Sequence, residues 1–224
     1  MPMLNVNEIF ETIQGEGSYT GVPSIFVRLQ GCPVGCPWCD TQHTWVVEES
    51  DRIPIKDMMA KTSDQQSFAA MAVADIISLF NEQGYTAKHV VITGGEPCMY
   101  DLREFTNTLH DAGYQTQIET SGTYEIKCSD KTWVTVSPKV DMPGGFPILK
   151  SAMARADEIK HPIAMQKHID ELDALLQTHP HKPGVCVSLQ PISQKPRATE
   201  LAISTCIQRN WRLSLQTHKY LGIE

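Results

Sequence analysis

The sequence predicts an α/β fold, a partial and open (β/α) barrel of about six parallel strands. Short apolar segments rich in β-branched residues, which are typical of buried strands, recur along the chain and end at turn residues. Segments with apolar residues at helical spacing lie between several of them, and this alternation is typical of a parallel sheet. The chain has 224 residues, whereas a complete eight-fold barrel usually needs about 250. We therefore expect one domain with an incomplete barrel.

The individual strands follow from the short apolar segments, and the individual helices follow from the apolar residues at helical spacing. Strands are predicted at residues 24–29, 89–93, 116–120, 132–136, 158–160 and 184–189, with 211–215 as a candidate seventh. Helices are predicted at 71–83, 101–112, 168–177 and 197–209, where apolar residues recur every three or four positions. Residues 46–70 are polar and irregular, and we interpret them as an insertion within a single domain that spans residues 1–224.

Composition and charge disfavour several classes of protein. The formal net charge of -7 argues against a general nucleic-acid or anionic-membrane binder, which usually carries a basic excess. No apolar run approaches the ~20 residues that a membrane helix needs. The first eight residues lack the basic and apolar segments of a signal peptide, so we expect a cytoplasmic location. Seven cysteines, an odd number, argue against a disulfide framework in that compartment.

Polar and turn residues repeatedly follow the predicted strands. In parallel α/β folds the active site lies at the carboxyl edge of the sheet, where the loops after several strands converge. We expect the following residues to meet at that edge: Thr93, Gly94, Gly95, Ser121, Ser137, Pro138, Lys139, Gln190 and Pro191.

Three cysteines, Cys32, Cys36 and Cys39, occur within eight residues. Two prolines and two glycines within residues 31–37 forbid a continuous helix, so the segment is predicted as a loop that turns three thiolates toward one point. Thiolates are the usual ligands of iron–sulfur clusters, and three of them leave one iron of a four-iron cluster without a protein ligand. The alternatives are a structural zinc site with His43 as the fourth ligand and a cysteine cluster that holds no metal.

The spacing Cys-x3-Cys-x2-Cys, with Trp38 before the third cysteine, resembles the signature of the radical S-adenosylmethionine (SAM) superfamily. The segment Thr93-Gly94-Gly95-Glu96-Pro97 resembles the motif that binds the amino group of SAM in that superfamily. The resemblance implies that the open iron binds the methionine part of SAM. It also implies that an electron from the cluster splits the sulfonium, and that the resulting 5′-deoxyadenosyl radical takes a hydrogen atom from the substrate.

A larger set of segments resembles the 7-carboxy-7-deazaguanine synthase family of the queuosine and deazapurine pathway. That resemblance implies conversion of 6-carboxy-5,6,7,8-tetrahydropterin to 7-carboxy-7-deazaguanine with loss of ammonia, assisted by Mg²⁺. It also implies a homodimer and a reducing electron donor such as flavodoxin. The segments lie at residues 10–17, 26–32, 38–41, 119–123, 136–139, 189–191 and 216–219.

The resemblance assigns roles to individual residues. No side chain is expected to be catalytic, because the cofactor supplies the radical. Residues expected to bind SAM are Gly95, Glu96, Ser121, Ser137, Pro138, Lys139 and Gln190, and the cluster is expected on Cys32, Cys36 and Cys39. Residues expected to bind the pterin are Ile13, Gln14, Gly15, Arg28 and Thr93, with Thr41 on Mg²⁺.

Other interpretations of these residues stay open from the sequence. Arg28 is also compatible with a surface charge, Lys139 with a solvated lysine, and Thr41 with a residue that starts a helix. His218 and Lys219 either close the site or belong to a surface tail. For the whole chain, the alternative functions are a glycyl-radical activating enzyme, which shares the cysteine and Gly-Gly-Glu motifs, and a non-enzymatic zinc-binding module.

Overall fold

A computed structural model describes residues 3–223 of the chain, so residues 1, 2 and 224 of the predicted domain lie outside the described part. The strands are β1 Met3–Ile13, β2 Pro23–Leu29, β3 Ala69–Ala72, β4 His89–Gly94, β5 Gln115–Thr120, β6 Trp133–Val136, β7 Glu158–Ile163, β8 Cys186–Pro191 and β9 Arg212–Leu213. The helices are α1 Ile55–Met59, α2 Val73–Glu82, α3 Arg103–Asp111, α4 Lys150–Arg155, α5 Gln166–Thr178, α6 Pro196–Arg209 and α7 Thr217–Leu221.

The strands form one open sheet in the order β3-β1-β2-β4-β5-β6-β7-β8-β9. From β2 to β9 each neighbouring pair is parallel, and β9 contributes only two residues. This confirms the predicted partial barrel of about six parallel strands. β1 and β3 extend the sheet with antiparallel pairing.

The sequence patterns did not reveal β1, and the reason is a register shift. The pairing of β1 with β2 slips between Val6 and Glu8, so the alternation of buried and exposed residues breaks there. Asn7, at the irregularity, is completely buried and donates to Gln30 Oε1 at 2.8 Å. A buried amide in the middle of a strand does not follow the alternating apolar pattern.

The segment predicted as an insertion, residues 46–70, has secondary structure of its own. It contains a 3₁₀ helix at Glu49–Asp51, the short helix α1, and the first residues of β3. Met58 and Phe68 are buried and join this segment to the core. Its status as an insertion in a single domain stays a prediction.

The two faces of the sheet have opposite character. One face is apolar and packs against the helices; Ile25, Val27 and Ile92 belong to this core in one half, and Ile159 and Leu189 in the other half. Alternate residues of the same strands face the interior of the open barrel. The interior carries buried polar side chains, including Ser24, Gln117, Thr135, Glu158, Lys160 and Ser188. None of the described helices has the length and apolar character required to cross a lipid bilayer.

Candidate active site

Two cavities meet at the carboxyl edge of the parallel strands. The larger has a volume of about 260 Å³ and the smaller has a volume of about 220 Å³. Their walls come largely from the ends of the parallel strands and the loops that follow, as the order of polar residues predicted. The cavities are parts of one site because they share lining residues, namely Glu16, Asp40, Thr41, Thr93, Gly94, Glu119 and Lys160.

The cysteine loop follows β2, and Cys32, Cys36 and Cys39 all line the larger cavity. Backbone hydrogen bonds fix the loop: the Cys32 N–H donates to the Trp45 carbonyl at 2.9 Å, and the Cys39 N–H donates to the Cys36 carbonyl at 3.0 Å. Gly31 begins the loop at a φ of +106°, which favours glycine. Trp45 Nε1 also donates to Cys39 Sγ at 3.4 Å. Three thiols on the wall of one cavity fit the ligand set of a 4Fe–4S cluster.

The zinc alternative requires a fourth ligand, and His43 is not among the residues that line the larger cavity. Its Nδ1 lies 3.9 Å from Asp64 Oδ2 instead. Within residues 3–223, no group of three or more His, Cys, Asp or Glu side chains is arranged to hold a single metal ion. A zinc ion with Zn–S bonds of about 2.3 Å draws its sulfurs closely together. In a four-iron cluster each cysteine binds a different iron, so the sulfurs stand farther apart.

Burial favours the protonated form of two thiols of the cysteine loop, those of Cys32 and Cys36. Burial raises the pKa of Cys32 to about 11, and it also raises the pKa of Cys36, where the charge of Lys139 opposes the rise. Iron binding must therefore displace protons, and the metal affinity of such a site increases with pH.

Gly94 and Gly95 bring the end of β4 into close contact with the start of the cysteine loop. A Cβ atom on Gly95 would lie 2.2 Å from the Gly31 carbonyl oxygen, and one on Gly94 would lie 2.4 Å from the Leu29 carbonyl oxygen. The N–H of Gly95 donates to the Leu29 carbonyl at 3.0 Å, and the N–H of Glu96 donates to the Gly31 carbonyl at 2.7 Å. Glycine is required here because any side chain would separate the two motifs.

The Glu96 carboxylate is buried and satisfied inside the protein. It accepts from the Cys98 N–H at 2.9 Å, the Thr120 hydroxyl at 2.6 Å and the Ser121 N–H at 2.8 Å, and also from the Ser121 hydroxyl. Both Glu96 and Ser121, which were predicted to bind SAM, line the larger cavity. Their mutual hydrogen bonds tie the loop after β4 to the end of β5.

Four further residues that were predicted to bind SAM lie in the loop after β6 and near the end of β8. Ser137, Lys139 and Gln190 line the larger cavity, whereas Pro138 is buried and is not among its lining residues. Lys139 Nζ donates to Ser137 Oγ at 2.7 Å, and burial lowers the pKa of Lys139. Gln190 Oε1 accepts from Ser214 Oγ at 3.0 Å, which orients its amide group.

The five residues predicted to bind the pterin come together in the smaller cavity; they are Ile13, Gln14, Gly15, Arg28 and Thr93. Gln14 is buried, and its Oε1 accepts from the Glu16 N–H at 3.0 Å while its Nε2 donates to Gln117 Oε1 at 3.3 Å. These bonds hold the turn after β1, residues 14–17, against β5.

Arg28 lies on β2 and is not a plain surface charge. Its Nε donates to the Glu8 carboxylate, and its guanidinium lies 5.9 Å from the centre of the Phe10 ring. Phe10 in turn stacks on Phe26 with ring centres 5.3 Å apart. A guanidinium has five N–H donors, so an Arg28 held through Nε retains others for a carboxylate in the cavity.

Thr41 and Asp40 lie where both cavities meet the cysteine loop. Thr41 precedes a 3₁₀ helix at Gln42–Thr44 but makes no side-chain cap, and its Oγ1 lies 3.6 Å from Cys39 Sγ. Asp40 is mostly exposed, and its Oδ2 accepts from Lys219 Nζ at 3.5 Å. Hydroxyl and carboxylate oxygens are ligands that Mg²⁺ accepts.

Three charged residues of the shared wall were missed as site residues by the sequence reasoning. Lys160 Nζ lies 2.6 Å from Glu16 Oε2 and 2.9 Å from Glu119 Oε2. Glu16 and Glu119 belong to segments that carried the family resemblance, and their membership could have identified them as candidate site residues. Lys160 stands in a short predicted strand with no local signal.

The C-terminal residues His218 and Lys219 lie at the site, which decides between the two interpretations of that segment. His218 lines the smaller cavity and Lys219 lines the larger one. The Thr217 N–H and hydroxyl both donate to the Gly15 carbonyl, at 2.9 and 3.0 Å. A Cβ atom on Gly15 would lie 2.4 Å from His218 Nδ1, so helix α7 packs directly on the turn after β1.

A protein-family profile described as "4Fe-4S single cluster domain" matches residues 13–141, which is more than half of the chain. The match covers the cysteine loop and the Gly-Gly-Glu segment that packs against it. Together with the open parallel barrel, it defines the class of protein: an iron–sulfur enzyme of the radical SAM type.

Comparison with known proteins narrows the class to one family. The chain is 54% identical to the 7-carboxy-7-deazaguanine synthase of Escherichia coli (strain K12), over 97% of this chain and 98% of that protein. It is 33% identical to the synthase of the same name from Synechocystis sp., over 97% of this chain and 92% of that protein. The crystal structure of QueE from Escherichia coli superposes with a TM-score of 0.93 at 52% identity, covering 96% of this chain and 94% of that one. The chain therefore belongs to the 7-carboxy-7-deazaguanine synthase family.

Proposed function

We propose that this chain is a radical SAM enzyme that converts 6-carboxy-5,6,7,8-tetrahydropterin to 7-carboxy-7-deazaguanine with loss of ammonia. The observation that carries the proposal is the pair of joined cavities. One is lined by three cysteines that can hold a cluster, and the other is lined by Arg28 and the polar turn after β1. The family comparisons support neither a glycyl-radical activating enzyme nor a zinc-binding module.

The larger cavity holds the cofactors in this proposal. Cys32, Cys36 and Cys39 bind the 4Fe–4S cluster. SAM occupies the remaining space against Gly95, Glu96, Ser121, Ser137, Lys139 and Gln190. Pro138, which is buried, stands between Ser137 and Lys139 in the same loop. The bound cluster and SAM together supply a radical that abstracts hydrogen.

The smaller cavity binds and orients the pterin. Arg28 binds the substrate carboxylate through paired N–H donors, and Gln14 and Thr93 hydrogen-bond the polar edge of the ring. Thr41 is a ligand of Mg²⁺ beside that carboxylate. It supplies a hydroxyl oxygen, follows the cysteine loop in the chain and lines both cavities. Ile13 and Gly15 complete the wall with backbone and apolar surface.

The partners of the enzyme are part of the proposal. The cluster receives its electron from a reducing donor such as flavodoxin, and the protein functions as a cytoplasmic homodimer without nucleic-acid or membrane partners. Support for these points comes from the family resemblance and from the acidic net charge of -7.

Anaerobic reconstitution with iron and sulfide tests the proposed reaction. The brown protein is incubated with reductant, SAM, magnesium and 6-carboxytetrahydropterin, and mass spectrometry follows the products. We expect 7-carboxy-7-deazaguanine and an equal amount of ammonia, with less product when a chelator removes Mg²⁺. Reductive cleavage of SAM without a deazaguanine product would leave the class intact and overturn the assigned substrate.

A further inference from the structure

Lys160 connects two carboxylates that come from distant parts of the chain. Its Nζ lies 2.6 Å from Oε2 of Glu16, in the turn after β1, and 2.9 Å from Oε2 of Glu119, on β5. The other oxygen of each carboxylate is also held: Gln216 Nε2 donates to Glu16 Oε1 at 2.9 Å, and Gln117 Nε2 donates to Glu119 Oε1 at 2.8 Å. The Lys160 side chain is only 6% exposed, so these groups form a desolvated cluster with fixed partners.

The cluster stands at the boundary of the two cavities, because Glu16, Glu119 and Lys160 line both of them. Its members occupy positions that a ligand in either cavity would contact. Each Glu119 oxygen accepts one internal hydrogen bond and has a further lone pair. The amino-pyrimidinone edge of a pterin offers two neighbouring N–H donors, which match the two oxygens of a carboxylate.

We infer that Lys160 is a positioning residue, which fixes the carboxylates of Glu16 and Glu119 so that Glu119 accepts hydrogen bonds from the donor edge of the bound pterin. The inference rests on the proposed function, because it assumes a pterin in the smaller cavity. The cluster of Glu16, Glu119 and Lys160 was not predicted from the sequence, and it joins the turn after β1 to the centre of the sheet.

The charge of Lys160 affects the pKa values of Glu16 and Glu119 differently, and this difference matters for pterin binding. Burial would raise the pKa of Glu16, but the charge and hydrogen bond of Lys160 outweigh burial and lower that pKa to about 2. Burial raises the pKa of Glu119 to about 7, since Lys160 only partly opposes burial and the charge of Glu16 adds to it. The pKa of Lys160 is raised by its two carboxylates although burial opposes this. Glu119 is therefore the member of the cluster that exchanges a proton near neutral pH.

Several other charged groups surround Glu119, and all of them are retained in the variants that test the inference. Glu158 on β7 and Lys139 after β6 belong to elements that pack near Glu119. Arg28, Asp40 and His218 line the same cavity as Glu119. Only ionised Glu119 accepts two N–H donors, so pterin affinity should fall as the pH drops through the pKa of Glu119. Changing Glu16 or Lys160 should move that midpoint in opposite directions.

The test measures binding of 6-carboxypterin, a fluorescent and redox-stable analogue, by fluorescence titration on either side of pH 7 in the cluster-loaded protein. Lys160→Met removes the stabilising cation, so the midpoint moves to higher pH and the Kd at neutral pH weakens about tenfold, the effect of a one-unit pKa shift. Glu16→Gln removes a repelling charge, so the midpoint moves to lower pH. Lys160→Arg retains the cation and should keep the wild-type midpoint.

The outcomes separate this inference from the proposed function. The titration of the ligand itself is the same in every variant, so differences between variants report the protein. Unchanged midpoints in both Lys160→Met and Glu16→Gln, or shifts in the same direction, overturn the inference. If wild type retains SAM cleavage but binds no 6-carboxypterin, the proposed substrate fails as well. If Lys160→Met does not fold, the nearly isosteric Glu16→Gln variant decides alone.

Discussion

The three cysteines and the three buried charges of the active site are assembled over very different lengths of chain. Cys32, Cys36 and Cys39 lie within eight residues, and backbone hydrogen bonds of one loop arrange them. Lys160 and Glu16 are separated by 144 positions and meet only when the barrel has formed. A local site tolerates changes elsewhere in the fold, whereas a long-range site depends on the registration of the whole sheet. Four variants, in order of decreasing effect, sharpen this difference.

The largest effect is expected in the local site. Cys36→Ala removes one cluster ligand, so bound iron, brown colour and turnover should all be lost. Iron analysis, visible absorbance and product formation measure this. The matched control is Cys206→Ala, which changes a buried cysteine on α6 that lines neither cavity. Wild-type turnover in the Cys36→Ala variant would refute the ligand assignment.

Gly95→Ala tests the contact between the two motifs of the larger cavity. Because the new Cβ would lie 2.2 Å from the Gly31 carbonyl oxygen, the backbone must move, and we expect a loss of about 3 kcal/mol in the free energy of unfolding. Denaturant unfolding of the metal-free protein measures it. Gly84→Ala is the control: Gly84 has a φ of +70° but open space around it, so only about 1 kcal/mol of backbone strain is expected. Equal losses in the two variants would contradict the steric explanation.

Arg28→Lys tests recognition in the smaller cavity. A lysine retains the positive charge but loses the planar pair of donors, so 6-carboxypterin should bind about tenfold more weakly. Binding of pterin without the carboxylate should change little. Fluorescence titration of both ligands measures the difference. An equal loss for both ligands would show that Arg28 supports the cavity rather than the carboxylate.

The smallest effect concerns His161, which neighbours Lys160 on β7 but projects to the other face of the sheet. Burial, assisted by the charge of Lys139, lowers the pKa of His161 to about 4 from an ordinary value of 6.5. The unfolded chain therefore binds a proton that the folded chain excludes. Stability should be complete above pH 6.5 and should decline as the pH falls toward 4.

His161→Leu should remove part of this decline, about 1 kcal/mol at a pH of about 6. Unfolding free energies at neutral and acid pH measure it. His89 has a pKa that burial lowers to about 4 in the same way, so some pH dependence will remain. An identical pH profile in wild type and variant would show that His161 is already protonated in the folded state.

The same contrast explains what could be predicted from the sequence. The parallel strands and the cysteine loop depend on local patterns, and both were predicted. β1 was not, because its register slips between Val6 and Glu8 and the buried Asn7 interrupts the apolar alternation. Lys160 gave no signal because its partners are far away in sequence. The sequence left two interpretations of His218 open, because only its packing against Gly15 in the folded chain places it at the site.

The common wall of the two cavities has a consequence for the design of inhibitors. Because Thr41, Thr93 and Glu119 face both compartments, one molecule that joins an adenosine group to a carboxypterin by a short tether would fill both at once. The second half of such a molecule would bind at a high effective concentration, so its affinity would exceed that of either half alone by orders of magnitude.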